Sequence, residues 1–256
     1  MIITISGQYG SGGDQVGVRL AELLNYKLWD SELIIRAKDI YDAEYSDTVR
    51  PIGSGRSDAA YCQDNDVPDW SILYKQAEIA LQADLMFSDM INFEEWGPES
   101  TTRRKAMLDA QTRAVLECAE GGNCILFSKC SSYILRDHPD AVHAFSTASM
   151  EIRIMRIMNT HNIVAEEKRH GKKRLALTNA MLARKMINMD RDAAKDLINK
   201  TDKRRADYHE FITGEKWGHP MHFDFHISGN KLDYMEEQTE LFLNYIREEE
   251  KSRQIG

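Results

Sequence analysis

Residues 2–17 read IITISGQYGSGGDQVG, and this stretch decides the fold. Ile2, Ile3 and Ile5 form the short apolar run that a buried parallel strand needs. Gly7, Gly10, Gly12 and Gly13 come next, so the chain leaves the strand through a turn nearly bare of side chains. From Asp14 onward Val16, Leu20, Ala21, Leu23 and Leu24 recur at helical spacing. Strand, glycine turn and helix in that order build an anion cradle. Successive amide N–H groups converge, and the first helical turn offers its positive end to a phosphate.

The common triphosphate loop is G-x-x-x-x-G-K-[ST], in which lysine reaches the β/γ-phosphates and the hydroxyl holds Mg²⁺. Aligned on Gly7 and Gly12, this chain has Gly13 in place of the lysine and Asp14 in place of the hydroxyl residue. The cradle is kept and its point charge is lost, so another basic group must supply that charge or nucleotide is bound without turnover. Two other readings stay open, a dinucleotide fold and a purely close-packed turn. Against the dinucleotide reading, no clean second strand ends in an acidic residue about 20 residues on. Asp30 stands near that distance, but Lys27 interrupts the apolar run before it.

A chain of 256 residues, 29% charged and 42% apolar, suits one soluble domain with an elaborated lobe. It has neither an apolar run near 18 residues nor the charged start of a secretory leader. The expectation is therefore a cytoplasmic protein with no membrane partner. Cys62, Cys118, Cys124 and Cys130 lack metal-ligand spacing and read as reduced thiols. The net charge of −8 hides an asymmetry: residues 166–205 hold 13 Lys/Arg against 6 Asp/Glu, so the remainder of the chain sums to −15. That basic segment can attract phosphate-bearing ligands. The acidic bulk, with no aromatic-interleaved basic groove, argues against nucleic acid. The eight histidines are scattered, with only His219 and His222 at i, i+3, and do not suggest a metal site.

Coarse periodicity gives strands at residues 2–6, 26–30, 124–127, 141–145 and 224–227. Helices are expected from Ser31, over Ser71–Ile91, Thr101–Glu120, Met150 to about Thr160, much of Asn162–Asp207, and Lys231–Arg247. Asp190 reads as a cap or turn inside the long basic segment, and Ser132–Arg136 as one helical turn. The C-terminal helix offers Leu232, Met235, Leu241, Leu243 and Tyr245 as an imperfect apolar stripe. Strands alternating with helices indicate a parallel α/β sheet. Residues 45–70, with PIGSGR at 51–56 and DNDVPDW at 64–70, read as loop.

Five pieces of the chain, in order, resemble the cytidylate kinase-like family of bacterial proteins, relatives of the nucleoside monophosphate kinases. They are ISGQYGSGGDQVG (5–17), LWDSELI (28–34), CILFSKCSSYILRDHP (124–139), STASMEIRIMRI (146–157) and TDKRRADYHEFITGEKWG (201–218). The resemblance implies a three-layer P-loop kinase-like parallel sheet, with a helical monophosphate lobe within residues 31–120. It also implies an extended helical lid within 158–215, all in one domain spanning 1–256. Glycine at the lysine position is common among similar proteins. Two departures stand out. Ser128-Lys129-Cys130-Ser131-Ser132 replaces a usual Gly-Arg-Cys-Ala-Asp, and the basic stretch 168–190 is longer than usual.

Carried over by position, Gly7, Gly10, Ser11, Gly12, Gly13 and Asp14 would wrap the phosphates of ATP. Asp14 would also order Mg²⁺, although an unshielded carboxylate there would repel the triphosphate. Arg153 and Arg156 match basic residues at the lid edge, and their i, i+3 spacing independently puts them on one helical face. Asp202 and Arg205 match a D-x-x-R element, and Lys129 keeps a charge without a guanidinium fork; the resemblance implies catalytic roles for all five, with Arg153, Arg156 and Arg205 closing over the transferring group in place of the lysine. Asp30 is the candidate acceptor contact, with capping or salt bridging as its structural alternative. The implied activity is transfer of the ATP γ-phosphoryl group to a nucleoside monophosphate, CMP or dCMP. The alternative is a catalytically weak or inactive nucleotide sensor that uses the basic insertion for a protein partner or self-association.

Overall fold

The computed structural model describes residues 1–45, 98–127, 130–158, 190–231 and 234–255. The expected helix 71–91, the loops at 51–56 and 64–70, Cys62, Lys129, Leu232 and the basic stretch 168–189 lie outside the described residues.

Five parallel strands form one sheet: β1 (Ile2–Gly7), β2 (Lys27–Trp29), β3 (Cys124–Phe127), β4 (Ala141–Thr147) and β5 (Phe225–Ser228), in the order β2-β3-β1-β4-β5. β1 is central, with Ile3 in register with Ile125 on one side and Val142 on the other. The helices are α1 (Gly13–Leu24), α2 (Ser31–Tyr45), α3 (Pro98–Glu120), a single turn α4 (Ser131–Ile134), α5 over residues 150–158, α6 (Arg191–Thr213) and α7 (Tyr234–Ile255). The result is a three-layer α/β sandwich of the P-loop kinase type, as expected.

One face of the sheet packs on α1 and α7 through Ile3, Ile5, Val16, Leu20, Ile125, Phe242 and Ile246. The other meets α3 and α4 through Ile2, Val115, Cys118, Cys124, Leu126 and Leu135. Burial pushes the Cys118 and Cys124 thiols up to about 11, so both act as small apolar residues. One polar pair crosses the sheet interior. Thr4 Oγ1 lies 2.8 Å from His143 Nδ1, and desolvation holds the imidazole below its usual pKa.

The C-terminal helix needs correction. It runs from 234 to 255, and its buried seam is Tyr234, Gln238, Phe242 and Ile246, flanked by Thr239 and Leu243. Of the anticipated stripe, Leu243 is buried in the core and Met235 and Tyr245 pack against it, while Leu241 is half exposed. Leu23 of α1 likewise faces solvent. Asp190 does cap α6, its carboxylate accepting from the Ala193 N–H at 2.8 Å.

Candidate functional site

All five strands run the same way, so their C-terminal ends share one edge of the sheet, the edge where open α/β folds bind ligands. Residues 8–12 leave β1 there and enter α1 through Gly12, whose φ of +93° stands in for a side-chain cap. Gly10 is also left-handed, at +76°. Asp14 lies in the first turn of α1 and Asp30 just past the end of β2, on the same edge.

The loop is held from outside by its carbonyls. Arg205 donates to Gly7 O at 2.7 Å. Arg153 donates from Nε to Tyr9 O at 2.8 Å and pairs with Asp202 through its other nitrogen. The second Asp202 oxygen accepts the Tyr9 N–H at 2.8 Å, so this one ion pair grips both polar groups of Tyr9. Arg156 donates to Ser11 O at 2.7 Å and, more weakly, to Gly10 O at 3.4 Å. Its other end holds Gly229 O and Lys231 O beyond β5, and its guanidinium carbon stacks 4.0 Å from the Tyr234 ring.

A trans peptide points its C=O and the next N–H in opposite directions. Guanidinium groups that pull the Tyr9 and Ser11 carbonyls outward therefore turn the Gly10 and Gly12 amides the other way. Among the described residues, no backbone carbonyl accepts the N–H of Gly10, Gly12 or Gly13. The N–H of Ser11, by contrast, closes a tight turn onto Gln8 O at 3.1 Å, and that of Gln8 binds Ser146 O at 2.9 Å. Helix-start amides left without a backbone acceptor are the kind of donor that favours anions at a helix N-terminus.

The structure thus brings Gly7 to Asp14, Arg153, Arg156, Asp202 and Arg205 together around one loop. Arg153 is almost wholly buried, with 3% of its surface exposed. It touches the loop and Asp202 and faces away from solvent. Arg156 and Arg205 are partly exposed beside the loop. Burial lowers the pKa of Arg156 from its ordinary value, an effect that the nearby Asp14 carboxylate opposes. Asp30 stands at the end of β2, and its backbone carbonyl accepts from Leu33 N at 3.2 Å at the start of α2.

Sequence reasoning missed four residues of this site. Tyr9 is buried between the loop and α5–α6, packed on Ile154, Ile157, Ala194 and Ile198, and desolvation raises its phenol pKa strongly. Ser146 lies under the loop between Gly7 and Gly13. Gly229 lets the β5 end approach Ser11, where a Cβ would stand 1.9 Å from Ser11 O. Tyr234 hydrogen-bonds Gly12 O across 222 residues of chain. Tyr9 and Ser146 lie inside stretches already singled out, but no local pattern gives any of the four its role.

The lysine position is closed by packing. A Cβ on Gly13 would sit 2.6 Å from Ser146 Cβ and 3.0 Å from its Oγ. Gly13→Lys, which restores the common motif, is therefore expected to destabilise the protein by about 1–3 kcal/mol through overpacking. It should add nothing to ATP affinity. Thermal denaturation with ATP titration checks this; an unchanged midpoint together with tighter ATP binding would show that the end of β4 yields.

For Mg²⁺, Asp14 in the first turn of α1 would supply one carboxylate, and Mg²⁺ sites commonly use one or two with phosphate oxygens. Among the described residues no three His, Cys, Asp or Glu side chains cluster to hold a metal by themselves. No described helix is long and apolar enough to cross a membrane.

The cytidylate kinase-like family matches residues 2–231. A solved structure of an uncharacterized protein from Eubacterium ventriosum ATCC 27560 is 20% identical, covering 97% of this chain and 98% of its own, with a TM-score of 0.54. A shikimate kinase from Bacteroides thetaiotaomicron is 11% identical over 96% of this chain and 98% of its own, with a TM-score of 0.44. No curated protein sequence matches the chain. The match over residues 2–231 covers well beyond half the sequence, and the chain belongs to the cytidylate kinase-like family.

Proposed function

We propose that this protein transfers the γ-phosphoryl group of ATP to a nucleoside monophosphate, with CMP or dCMP as the acceptor. The observation that carries the reading is the β1–α1 loop, whose Gly10, Gly12 and Gly13 amides have no backbone acceptor among the described residues while guanidinium groups hold its carbonyls. Phosphoryl transfer depends on positioning and charge stabilisation more than on covalent chemistry from the protein. Amides fixed in advance provide such stabilisation without reorganising during the reaction.

In this reading the loop amides bind the donor phosphates. Asp14 would hold Mg²⁺, which would supply charge neutralisation at the donor phosphates. Arg156 and Arg205, partly exposed beside the loop, supply the positive field that the absent lysine would have given. Arg153 and Asp202 act as positioning residues through Tyr9. Asp30, at the end of β2, faces the acceptor side with α2 and α3. Residues 31–120 then form the monophosphate lobe and 158–215 the lid, and Lys129 contributes charge after β3.

A second reading is favoured by a specific observation, the closed lysine position at Gly13. In it the protein binds nucleotide with little or no turnover and signals to a partner through the basic stretch 168–190.

One experiment separates the two. Purified protein is incubated with Mg·ATP and each nucleoside monophosphate in turn, with diphosphate products and ATP affinity both measured. The kinase reading expects CDP or dCDP as the dominant product. ATP binding with no product from any acceptor favours the sensor, and the absence of both overturns the nucleotide site itself.

A further inference from the structure

The three unclaimed loop amides belong to three peptide units, and each has its carbonyl held by a different side chain. Arg153 holds Tyr9 O, opposite the Gly10 N–H, and Arg156 holds Ser11 O, opposite the Gly12 N–H. The third unit joins Gly12 to Gly13, and its carbonyl accepts from the Tyr234 hydroxyl at 2.9 Å. Gly12 O also takes the first α1 hydrogen bond, from Val16 N at 3.3 Å. Tyr234 comes from the first turn of α7 and is 2% exposed, with its ring against the Arg156 guanidinium. Its hydroxyl also lies 2.8 Å from Gln15 Oε1, so one proton is shared between two acceptors. The fit is close, because the direction in which Gly12 would carry a Cβ is filled by the phenol oxygen at 1.8 Å.

We propose that Tyr234 is a positioning residue for phosphate binding: its hydroxyl fixes the Gly12–Gly13 peptide so that the Gly13 N–H faces the bound phosphate. This rests on the phosphate-cradle reading above. Gly13 is the residue that carries no lysine, so at this point of the loop the amide dipole is the chain's own donor, and its direction matters most there. The tyrosine does for the third peptide what the two arginines do for the others. It ties the C-terminal helix to the catalytic loop without touching the ligand.

The test uses the full-length protein, inorganic tripolyphosphate as a base-free probe, and three variants. Tyr234→Phe keeps the ring on Arg156 and deletes the hydroxyl. Gln15→Ala removes the competing acceptor. Tyr245→Phe, on the same helix but packed on Phe225 instead, is the stability control. Affinity is measured by calorimetry, and the Gly13 amide is followed by ¹H–¹⁵N correlation spectra.

In the wild type, tripolyphosphate should bind and move the Gly13 amide proton downfield. Tyr234→Phe should weaken binding about tenfold, equivalent to about 1.4 kcal/mol, and shrink the Gly13 shift. Tyr245→Phe should match the wild type in both. Gln15→Ala should keep the wild-type affinity or exceed it, because the hydroxyl proton then goes wholly to Gly12. This variant keeps the proposal open to refutation even if Tyr234→Phe does not fold. Wild-type affinity and Gly13 shift in Tyr234→Phe overturn the proposal and leave the cradle reading intact, as does a loss of binding in Gln15→Ala. No tripolyphosphate binding by the wild type overturns both.

Discussion

Gly12→Ala is expected to destabilise the protein by about 4 kcal/mol, a large fraction of the roughly 5–15 kcal/mol that holds a typical domain folded. Two independent costs add. An alanine at φ +93° lies in the left-handed region, which costs about 1–2 kcal/mol for a residue with a Cβ. The new methyl group would then meet Tyr234 Oη at 1.8 Å and Cζ at 2.4 Å, inside any tolerable contact, and the buried ring has little room to retreat. Overpacking of that kind adds about 1–3 kcal/mol. Gly122→Ala gives the backbone cost alone, since Gly122 has φ +59° and nothing within 4 Å of the added Cβ. Its thermal midpoint should fall by a few degrees, that of Gly12→Ala by roughly 10 °C or more. Equal losses in the two variants would mean that Tyr234 does not fill the space behind the loop.

The same contact shows where sequence reasoning reaches its limit. The strands were legible because their signal is local: CILF at 124–127 is a four-residue apolar run between a Gly-Gly stop and a polar turn, and it forms β3 over those residues. β1, β4 and β5 were found to within two residues for the same reason. The glycine turn and the capping role of Asp190 were also legible, since both depend on neighbours in sequence. The seam of α7 was legible only in part: Met235, Leu243 and Tyr245 do pack on the core, but Gln238 and Thr239 are buried in it as polar residues and Leu241 mimics a core residue while half exposed. In the site, the family resemblance pointed to Arg153, Arg156 and Arg205, and the structure sets all three against carbonyls of the loop. A guanidinium donates equally well to a phosphate or to a carbonyl, and only the fold decides which is nearer. The i, i+3 spacing of Arg153 and Arg156 correctly put both toward one target, and that target is the loop's own backbone. Tyr234 left no trace in the sequence because its partner is 222 residues away.

Arg153→Met is expected to cost about 3–5 kcal/mol, the usual penalty for removing one member of a buried ion pair. Arg153 is enclosed between α6 and the loop, and its loss leaves the Asp202 carboxylate without the guanidinium and Tyr9 O without its donor. The thermal midpoint should drop by about 10 °C. That result alone would not separate scaffold from function, and a double variant does. Replacing both members of a buried pair by apolar residues of similar volume is often near neutral, because the desolvation cost of two charges disappears together with their attraction. Arg153→Met with Asp202→Leu should therefore recover part of the lost stability, the remainder being the cost of the Tyr9 N–H and C=O left without these partners. It should not recover ATP binding: with both side chains gone, the N–H and C=O of Tyr9 lose the two contacts that set the peptide before Gly10. A double variant that is stable and binds ATP weakly would assign the ion pair to the geometry of the cradle. One that is stable and binds ATP as the wild type does would assign it to the fold alone and leave the Gly10 amide oriented by the glycine turn itself.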